Sequence, residues 1–371
     1  MKQISVFNII KLVLLSTVLF INLQQAFAAD AVKEVRIAAV AYGKDGKTGF
    51  NGSAGVVDTE GWLRAELQKQ NIKLTWVAIP PQSVATTINE DFANHSIDFA
   101  DYGDLPSVIL NANGIDTRLI VPGGRGNNVY LVVPPGSTAK SILDLKGKRI
   151  AIHRGRPWEV SFGRLLAANG LKITDFKVSN LNPVAGAAAL VAGNVDAFVT
   201  LSDAYTLEDK HLGKIIWSTK QAGQDWKMRA EVWGTKSFID QHPEVTQIIA
   251  TAFVKAAYWT SQDANRETYI NTASLSGQPA DVLRREFSQD TVTWKARWSP
   301  LFDDFVSNHY RVVAAYSKQN GLIRTDVDVD KLFDRRFVDS ALKSLSLESY
   351  WVSKDAGKDV AKDASKLAPK T

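Results

Sequence analysis

Three short segments place glycine, serine or aspartate between the end of a predicted strand and the start of a predicted helix. They are residues 102–107 (YGDLPS), 154–158 (RGRPW) and 201–205 (LSDAY). Pro106 and Pro157 suit the first helical turn, where the missing N–H costs nothing. Free backbone N–H groups and the helix dipole favour an anion at such a helix start. The three segments therefore predict an anion-binding site.

The side chains in these segments suggest how a ligand is held. Arg154 and Arg156 could grip an anion with paired N–H donors, and Trp158 and Tyr205 could form apolar walls. Asp104 and Asp203 have a second interpretation, the capping of their own helices, which is the commoner role of such residues. The full set of candidate ligand contacts is Tyr42, Phe50, Asn51, Gly103, Asp104, Arg125, Arg154, Arg156, Trp158, Ser202, Tyr205 and Trp233.

Other motifs fail on composition or order. The 371 residues include no cysteine, which excludes thiol catalysis, disulfides, cysteine-ligated metal sites and a lipoprotein anchor. Residues 46–48 (GKT) lack the first glycine of a P-loop, because Ala41 stands in its place. The segments STAK (137–140) and KTG (47–49) occur in the wrong order for a serine β-lactamase. The net charge of +5 is spread along the chain, so nucleic-acid binding is not expected.

The elements that must position these side chains alternate along the chain, as in parallel α/β proteins. Helical spacing of apolar residues covers 62–70, 83–94 and 158–169. After residue 231, helices dominate, at 243–262, 281–287, 301–319 and 329–345. Strands are predicted at 35–41, 74–79, 97–102, 129–133, 149–154, 176–181, 195–201 and 214–218.

A weak internal repeat divides the chain into two similar halves. Arg36-Ile37-Ala38 opens the first half, and Arg149-Ile150-Ala151 opens the second. Later in each half, Ile97-Asp98 corresponds to Val195-Asp196. The repeat predicts two similar lobes that enclose a cleft.

The N-terminus has the layout of a secretory signal peptide over residues 1–28. Lys2 and Lys11 precede an apolar run at 12–23, and the small-x-small site Ala26-Phe27-Ala28 follows. The run is shorter than the ~20 residues of a spanning helix. We expect a soluble protein exported to the periplasm, without a lipid anchor. At the other end, residues 351–371 are expected to form a flexible tail.

Several longer segments resemble ABC-importer substrate-binding proteins of the aliphatic sulfonate, taurine and nitrate family. They are NHSIDFADYGDLPSVILNANG (94–114), ILDLKGKRIAIHRGRPWEVSFGRLLAANGLKITDF (142–176), VAGNVDAFVTLSDAYTLED (191–209) and GLIRTDVDVDKLFDRRF (321–337). The resemblance implies a type 2 periplasmic binding fold, with two α/β lobes, a ligand cleft and a hinge. It assigns 29–124 to lobe 1, 125–230 to lobe 2 and 231–350 to a helical return to lobe 1.

Single positions carry this resemblance further. Gly103, Asp104 and Pro106 match a turn that lines the family's cleft. Arg156 to Glu159 replace small polar residues of the family, and Ser202 replaces a tryptophan. The segment 42–54 is longer than expected and brings Phe50, Asn51 and Ser53 to the cleft mouth. These departures favour a larger or aromatic organic anion.

The implied function is capture of a small organic anion, an organosulfonate or sulfate ester, for a membrane permease and its ATPase. No cofactor is expected, and the protein is expected to be a monomer. Nitrate, bicarbonate or an aromatic carboxylate remain alternative ligands. Enzymes with this fold, the thiamin-pyrimidine synthase-like and sulfinate desulfinase-like branches, depend on a cysteine that this chain lacks.

Overall fold

The computed structural model describes residues 32–44, 46–288, 290 and 292–352. The predicted signal peptide and nearly all of the predicted tail lie outside these residues. Within the described part of the chain, no helix combines the length and the apolar character needed to cross a membrane.

Two separate β-sheets form the framework. The first has the order β2-β1-β4-β11-β5, and β3 pairs with β1 on the side opposite β4. Its strands are β1 (Glu34–Lys44), β2 (Lys47–Phe50), β3 (Lys73–Ile79), β4 (Phe99–Gly103), β5 (Thr117–Val121) and β11 (Ala230–Thr235). The second has the order β10-β6-β9-β7-β8. Its strands are β6 (Tyr130–Val133), β7 (Arg149–Ile152), β8 (Lys177–Asn180), β9 (Ala197–Thr200) and β10 (Lys214–Ser218).

The helices pack on the faces of these sheets. In chain order they are α1 (Gly52–Glu60), α2 (Trp62–Lys69), α3 (Val84–Ala93), α4 (Asp104–Ala112), α5 (Trp158–Ala168), α6 (Pro183–Val191), α7 (Asp203–Asp209), α8 (Lys236–Gln241), α9 (Pro243–Ser261), α10 (Arg266–Ser274), α11 (Ala280–Ser288), α12 (Trp294–Arg297), α13 (Asp304–Gln319) and α14 (Arg336–Ser344).

The internal repeat has a structural counterpart. In the first sheet β1 pairs in parallel with β3 and β4, and in the second β7 pairs in parallel with β8 and β9. Arg36 donates from its backbone N, Nε and Nη2 to Asp98 at 2.8, 3.1 and 2.7 Å. Arg149 makes the same three bonds to Asp196 at 2.9, 3.1 and 2.7 Å. The same bidentate pair therefore joins equivalent strands in both sheets.

The predicted long loop at 42–54 is a β-hairpin followed by a helix. β1 continues to Lys44 and pairs antiparallel with β2, and Asn51 then caps α1 by accepting from the N–H of Gly52 at 2.9 Å. The prediction that helices replace strands from about residue 231 is also incorrect at its first residues, because a further strand spans them. β11 runs from Ala230 and lies between β4 and β5. The helix predicted over 329–345 is a 3₁₀ turn at Val329–Leu332 and then α14.

The chain passes between the sheets in two neighbouring segments. Asn127, after β5, and Met228, before β11, form an antiparallel bridge with N–H···O distances of 2.9 and 3.1 Å. The helices that follow β11 then contact both sheets. α9 belongs to the core of the first sheet, whereas α11 places Val282 in a core cluster of the second.

Candidate functional site

A cavity of about 220 Å³ lies where residues of both sheets and the C-terminal helices meet. From the first sheet it is lined by Tyr42 and Asp101, and from the end of β9 by Leu201 and Ser202. The segment that follows β5, including Gly123 and Gly126, lines one side of the cavity. A ligand in this cavity would touch elements of both sheets at once.

The start of α1 forms a polar wall of the cavity. Asn51, Gly52 and Ser53 line it, and the Ser53 hydroxyl donates to Asp101 Oδ2 at 2.9 Å. Burial raises the pKa of the Tyr42 hydroxyl, while a hydrogen bond to Asn51 and the positive charge of Arg156 oppose that rise. The charge of Arg156 thus reaches Tyr42 in this wall, although Arg156 itself does not line the cavity.

α11 forms the opposite polar wall. The Ser202 hydroxyl donates to Gln278 Oε1 at 3.0 Å, just before this helix begins. Glu286 accepts from the backbone N–H and the side-chain amide of Asn128 at 3.2 and 2.8 Å, and from the Tyr130 hydroxyl. Through these contacts Gln278 and α11, in the C-terminal part of the chain, are joined to residues within and next to β6 and β9 of the second sheet.

An aromatic wall completes the enclosure. Tyr269, Phe287 and Trp298 line the cavity, and the Tyr269 and Trp298 rings meet edge to face with centroids 4.7 Å apart. Trp298 Nε1 is buried and has no hydrogen-bond partner among the described residues. This wall offers apolar contact to a ligand.

Arg156 is a buried cation that forms no ion pair with a carboxylate among the described residues. The residue is 9% exposed, and Nε and Nη1 have no hydrogen-bond partner in the part of the chain that the structure describes. Its guanidinium lies 5.0 Å from the Trp158 ring centroid. Burial lowers the pKa of Arg156 to about 10, so the group stays charged at neutral pH. A buried charge of this kind is costly unless a counter-ion or hydrogen bonds compensate it.

At two of the predicted helix starts, carboxylates of the protein itself accept hydrogen bonds from the N–H groups that were expected to bind an anion. Asp104 accepts from the N–H groups of Leu105 and Arg229 at 2.5 and 3.0 Å and lies 2.6 Å from His309 Nε2. At the second turn, Glu159 accepts from Arg154 Nε and the Gly155 N–H, both at 2.6 Å. Asp104 and Arg154 do not line the cavity. The N-cap of α4 is Gly103, without a side-chain cap bond, and the contacts of Asp104 are internal ones to Leu105, Arg229 and His309.

Six further predicted contacts are used in packing or ion pairs. Phe50 packs against Trp76 with ring centroids 5.1 Å apart, and Gly103 lies under Pro157. Arg125 pairs with Asp303 at 2.6 Å, and the Tyr205 hydroxyl bonds to that of Tyr130 at 3.1 Å. Trp158 and Trp233 are buried in the apolar cores of the two halves. Of the twelve predicted residues, those that line the cavity are Tyr42, Asn51 and Ser202.

Sequence reasoning missed Asp101 and the whole C-terminal wall. Asp101 left a signal, because an aspartate within the largely buried strand Phe99–Gly103 is unusual. Glu286, Tyr269 and Trp298 left none, because only the tertiary packing of the C-terminal helices brings them to the cavity.

Comparison with known proteins is consistent with this architecture. Residues 77–274 match the model of the NMT1-like family. The crystal structure of a periplasmic sulfonate-binding protein SsuA from Methylobacillus flagellatus is 51% identical, with a TM-score of 0.79 over 87% of this chain and 97% of that one.

Two curated proteins of Escherichia coli match shorter segments. A putative aliphatic sulfonates-binding protein is 30% identical over 42% of this chain and 48% of its own length. A taurine-binding periplasmic protein is 27% identical over 50% of this chain and 60% of its own length. The chain thus spans about half the length of the curated relatives that it matches. These similarities and the two-sheet architecture show that the chain belongs to the NMT1-like family and has the α/β fold of periplasmic binding proteins.

Proposed function

We propose that this protein is the substrate-binding component of an ABC importer and captures an organosulfonate or sulfate ester. The observation that carries the proposal is the buried Arg156, whose Nε and Nη1 have no protein acceptor among the described residues and whose charge acts on Tyr42 in the cavity wall. A sulfonate presents several acceptor oxygens and a negative charge, and so it matches these donors. The names of the relatives support the same class of ligand.

The mechanism follows from a cavity walled by both halves. We assign 29–124 and 231–350 to one lobe and 125–230 to the other, with the bridged segments at Asn127 and Met228 as the hinge. A ligand that touches both lobes favours the closed state, because it gains contacts there that the open state lacks. Closure then excludes water and strengthens the interaction between Arg156 and the anion.

The proposed partners follow from this role. The exported, monomeric protein would hold its ligand in the periplasm and pass it to a membrane permease and its ATPase. It needs no cofactor, and it releases the ligand chemically unchanged. Recovery of intact ligand after incubation distinguishes this role from that of an enzyme with the same fold.

The first experiment is a thermal-shift and calorimetric screen of the mature protein, stripped of bound ligand by partial unfolding. The panel contains alkyl and aryl sulfonates, sulfate esters, nitrate, bicarbonate and aromatic carboxylates. Ligand at about 100 times its Kd stabilises a protein by roughly 2.7 kcal/mol, which shifts Tm by several degrees. Stabilisation by the organosulfur anions supports the proposal. Stabilisation by nitrate, bicarbonate or carboxylates alone contradicts it.

Arg156→Ala tests the site itself. We expect affinity for the selected anion to fall about tenfold or more, since a charge-assisted hydrogen bond is lost from a dry site. Arg311→Ala is the matched control, because Arg311 is exposed and pairs with Asp330 on the surface. Equal affinities of the two variants would show that Arg156 does not bind the anion.

A further inference from the structure

The charged side chains that line the cavity are unfavourable for an anion. Among the described residues they are two carboxylates, Asp101 and Glu286, and one cation, Arg297. Arg297 already pairs with Asp290 and donates to the Gly126 carbonyl at 3.1 Å. The wall therefore presents an excess of negative charge, and an anionic ligand must enter the cavity against it.

Of the two carboxylates, Glu286 is compensated by the protein. It accepts from the backbone N–H and the side-chain amide of Asn128 at 3.2 and 2.8 Å, and from the Tyr130 hydroxyl. Its charge also favours the protonated forms of Lys227 and Arg297, so two cations lie near it. Glu286 thus has both hydrogen-bond donors and positive neighbours.

Asp101 has no positive neighbour of this kind. It accepts from the Ser53 hydroxyl at 2.9 Å and from the backbone N–H of Ala54 on α1. No ion pair within 4.0 Å joins it to a cationic side chain among the described residues. The charged side chain that acts on it is Glu231 on β11, which has the same sign. From α10, the Tyr269 phenol lies near, since burial and then the charge of Asp101 raise its pKa.

An anion in the cavity must disfavour the charged form of Asp101. The cavity is only a few ångströms across, so the charge of any ligand in it lies near this carboxylate. Two negative charges repel strongly at such distances where water is excluded. Binding one proton removes the repulsion, and the proton is readily available at neutral pH. Burial and the charge of Glu231 already raise the pKa of Asp101 to about 6, although the Ser53 hydrogen bond opposes the rise.

We propose that capture of an anion in this cavity is coupled to the uptake of one proton by Asp101. This inference rests on the proposed function, because it needs an anionic ligand, and it adds the group that balances the charge of that ligand. The bound state holds the anion beside a neutral carboxylic acid, which has an O–H donor that the ionised form lacks. Binding is therefore tighter in weak acid than in weak base.

Calorimetry of the wild-type protein with ethanesulfonate, benzenesulfonate and ethyl sulfate measures the coupling. These anions stay ionised at every pH used, so any proton taken up goes to the protein. Titrations at pH 7 in bis-Tris, imidazole and Tris, which lack sulfonate groups and differ in ionisation enthalpy, count the protons bound with the ligand. We expect about 0.5 to 1 proton, and an association constant that falls about tenfold from pH 5.5 to pH 7.5.

Asp101→Asn assigns the proton to this side chain, because the amide does not titrate. We expect proton uptake to fall below about 0.2, and the association constant to vary less than about threefold over the same pH range. His153→Gln is the matched control. Burial and the charge of Arg156 lower the pKa of His153, so this histidine is another group that a bound anion could protonate. The control variant should keep the full uptake.

Ser53→Ala keeps the carboxylate and supplies a second test if Asp101→Asn impairs folding. Loss of the Ser53 hydrogen bond should shift the pH dependence of binding to higher pH, and an unshifted profile would contradict the assignment. Binding without proton uptake by the wild-type protein would overturn the inference and leave the importer role standing. Uptake that survives in Asp101→Asn would do the same, by placing the proton on a group such as His153 or Lys227. Failure of all three anions to bind would instead overturn the proposed function, and the inference with it.

Discussion

Pro157 closes directly over Gly103, so that a Cβ atom at residue 103 would lie 2.2 Å from Pro157 Cγ. Gly103 ends β4 in the first sheet, and Pro157 precedes α5, which packs on the second sheet. The contact therefore joins the two halves at a point where neither backbone can give way easily. The proline ring is rigid, and no side chain larger than hydrogen fits beneath it.

Gly103→Ala should disfavour the closed arrangement of the two halves. We expect ligand affinity to fall about tenfold or more, because the added methyl group must separate β4 from Pro157. Small-angle scattering with saturating ligand should give a larger radius of gyration than the wild-type complex. Gly136→Ala is the control, since a Cβ there meets nothing within 4 Å. Unchanged compactness of Gly103→Ala would show that this contact does not govern closure.

Asp104→Ala should lower stability rather than remove a ligand contact. The carboxylate accepts from two backbone N–H groups and lies 2.6 Å from His309, with no exposed surface. Its loss leaves several buried donors without acceptors, which costs roughly 3–5 kcal/mol. Chemical denaturation measures this change, and Asp104→Asn, which keeps one acceptor oxygen, should recover part of it. A variant with full stability but lost ligand binding would restore the earlier prediction of a ligand contact.

Asp101→Asn should stabilise the unliganded protein at neutral pH and not in acid. Burial raises the pKa of Asp101 to about 6, from 3.8, so the folded protein binds this proton more tightly than the unfolded chain does. The wild-type protein therefore loses stability as pH rises from about 4 to about 6, and the loss persists above that range. The variant avoids this loss, so its advantage at pH 7 should be roughly 1–3 kcal/mol. Denaturation at pH 4 and pH 7 compares the two, and a pH-independent difference would contradict the assignment.

Arg285→Ala should speed ligand release. Arg285, on α11, pairs with Glu208 and with Asp209 at 2.9 Å, and its guanidinium lies 4.1 Å from the Tyr205 ring centroid. These contacts hold α11 against α7 at one wall of the cavity. Removing them costs about 1 kcal/mol, which corresponds to a dissociation rate roughly fivefold higher. Stopped-flow measurements give the dissociation rate. The control variant Arg284→Ala should release the ligand at the wild-type rate, because Arg284 forms an exposed ion pair with Glu267.

The sequence was most informative where structure is local. Short β-rich runs predicted β1, β3 and β4 and their equivalents in the second sheet, because polar turns bound these strands. The repeat of Arg36 and Asp98 in Arg149 and Asp196 correctly indicated two similar halves. The hairpin that includes β2 was missed, since its short, glycine-containing strand carries little apolar signal.

The site itself was predictable only in part. Of the three predicted segments, the one after β9 contributes Leu201 and Ser202 to the cavity. Sequence spacing could not show that Glu159 already occupies the N–H groups beside Arg154. The sequence also singled out Arg156. That its Nε and Nη1 lack hydrogen-bond partners among the described residues depends on tertiary packing, which the sequence does not reveal. Trp233 illustrates the converse, because an aromatic residue near a predicted cleft turned out to pack between Tyr102 and Tyr310. The contacts of Trp233 join residues 131 and 77 positions apart in sequence, whereas those of Glu159 with Arg154 and Gly155 are local.

The bridge between Asn127 and Met228 gives the chain a modular layout. Everything that builds the second sheet enters and leaves through two hydrogen-bonded neighbours, so this half is an insertion within the first. The inserted half can therefore be altered or replaced during evolution without changing the path of the chain in the first half. The C-terminal helices, which return to both halves, are the part that must co-adapt with any such exchange.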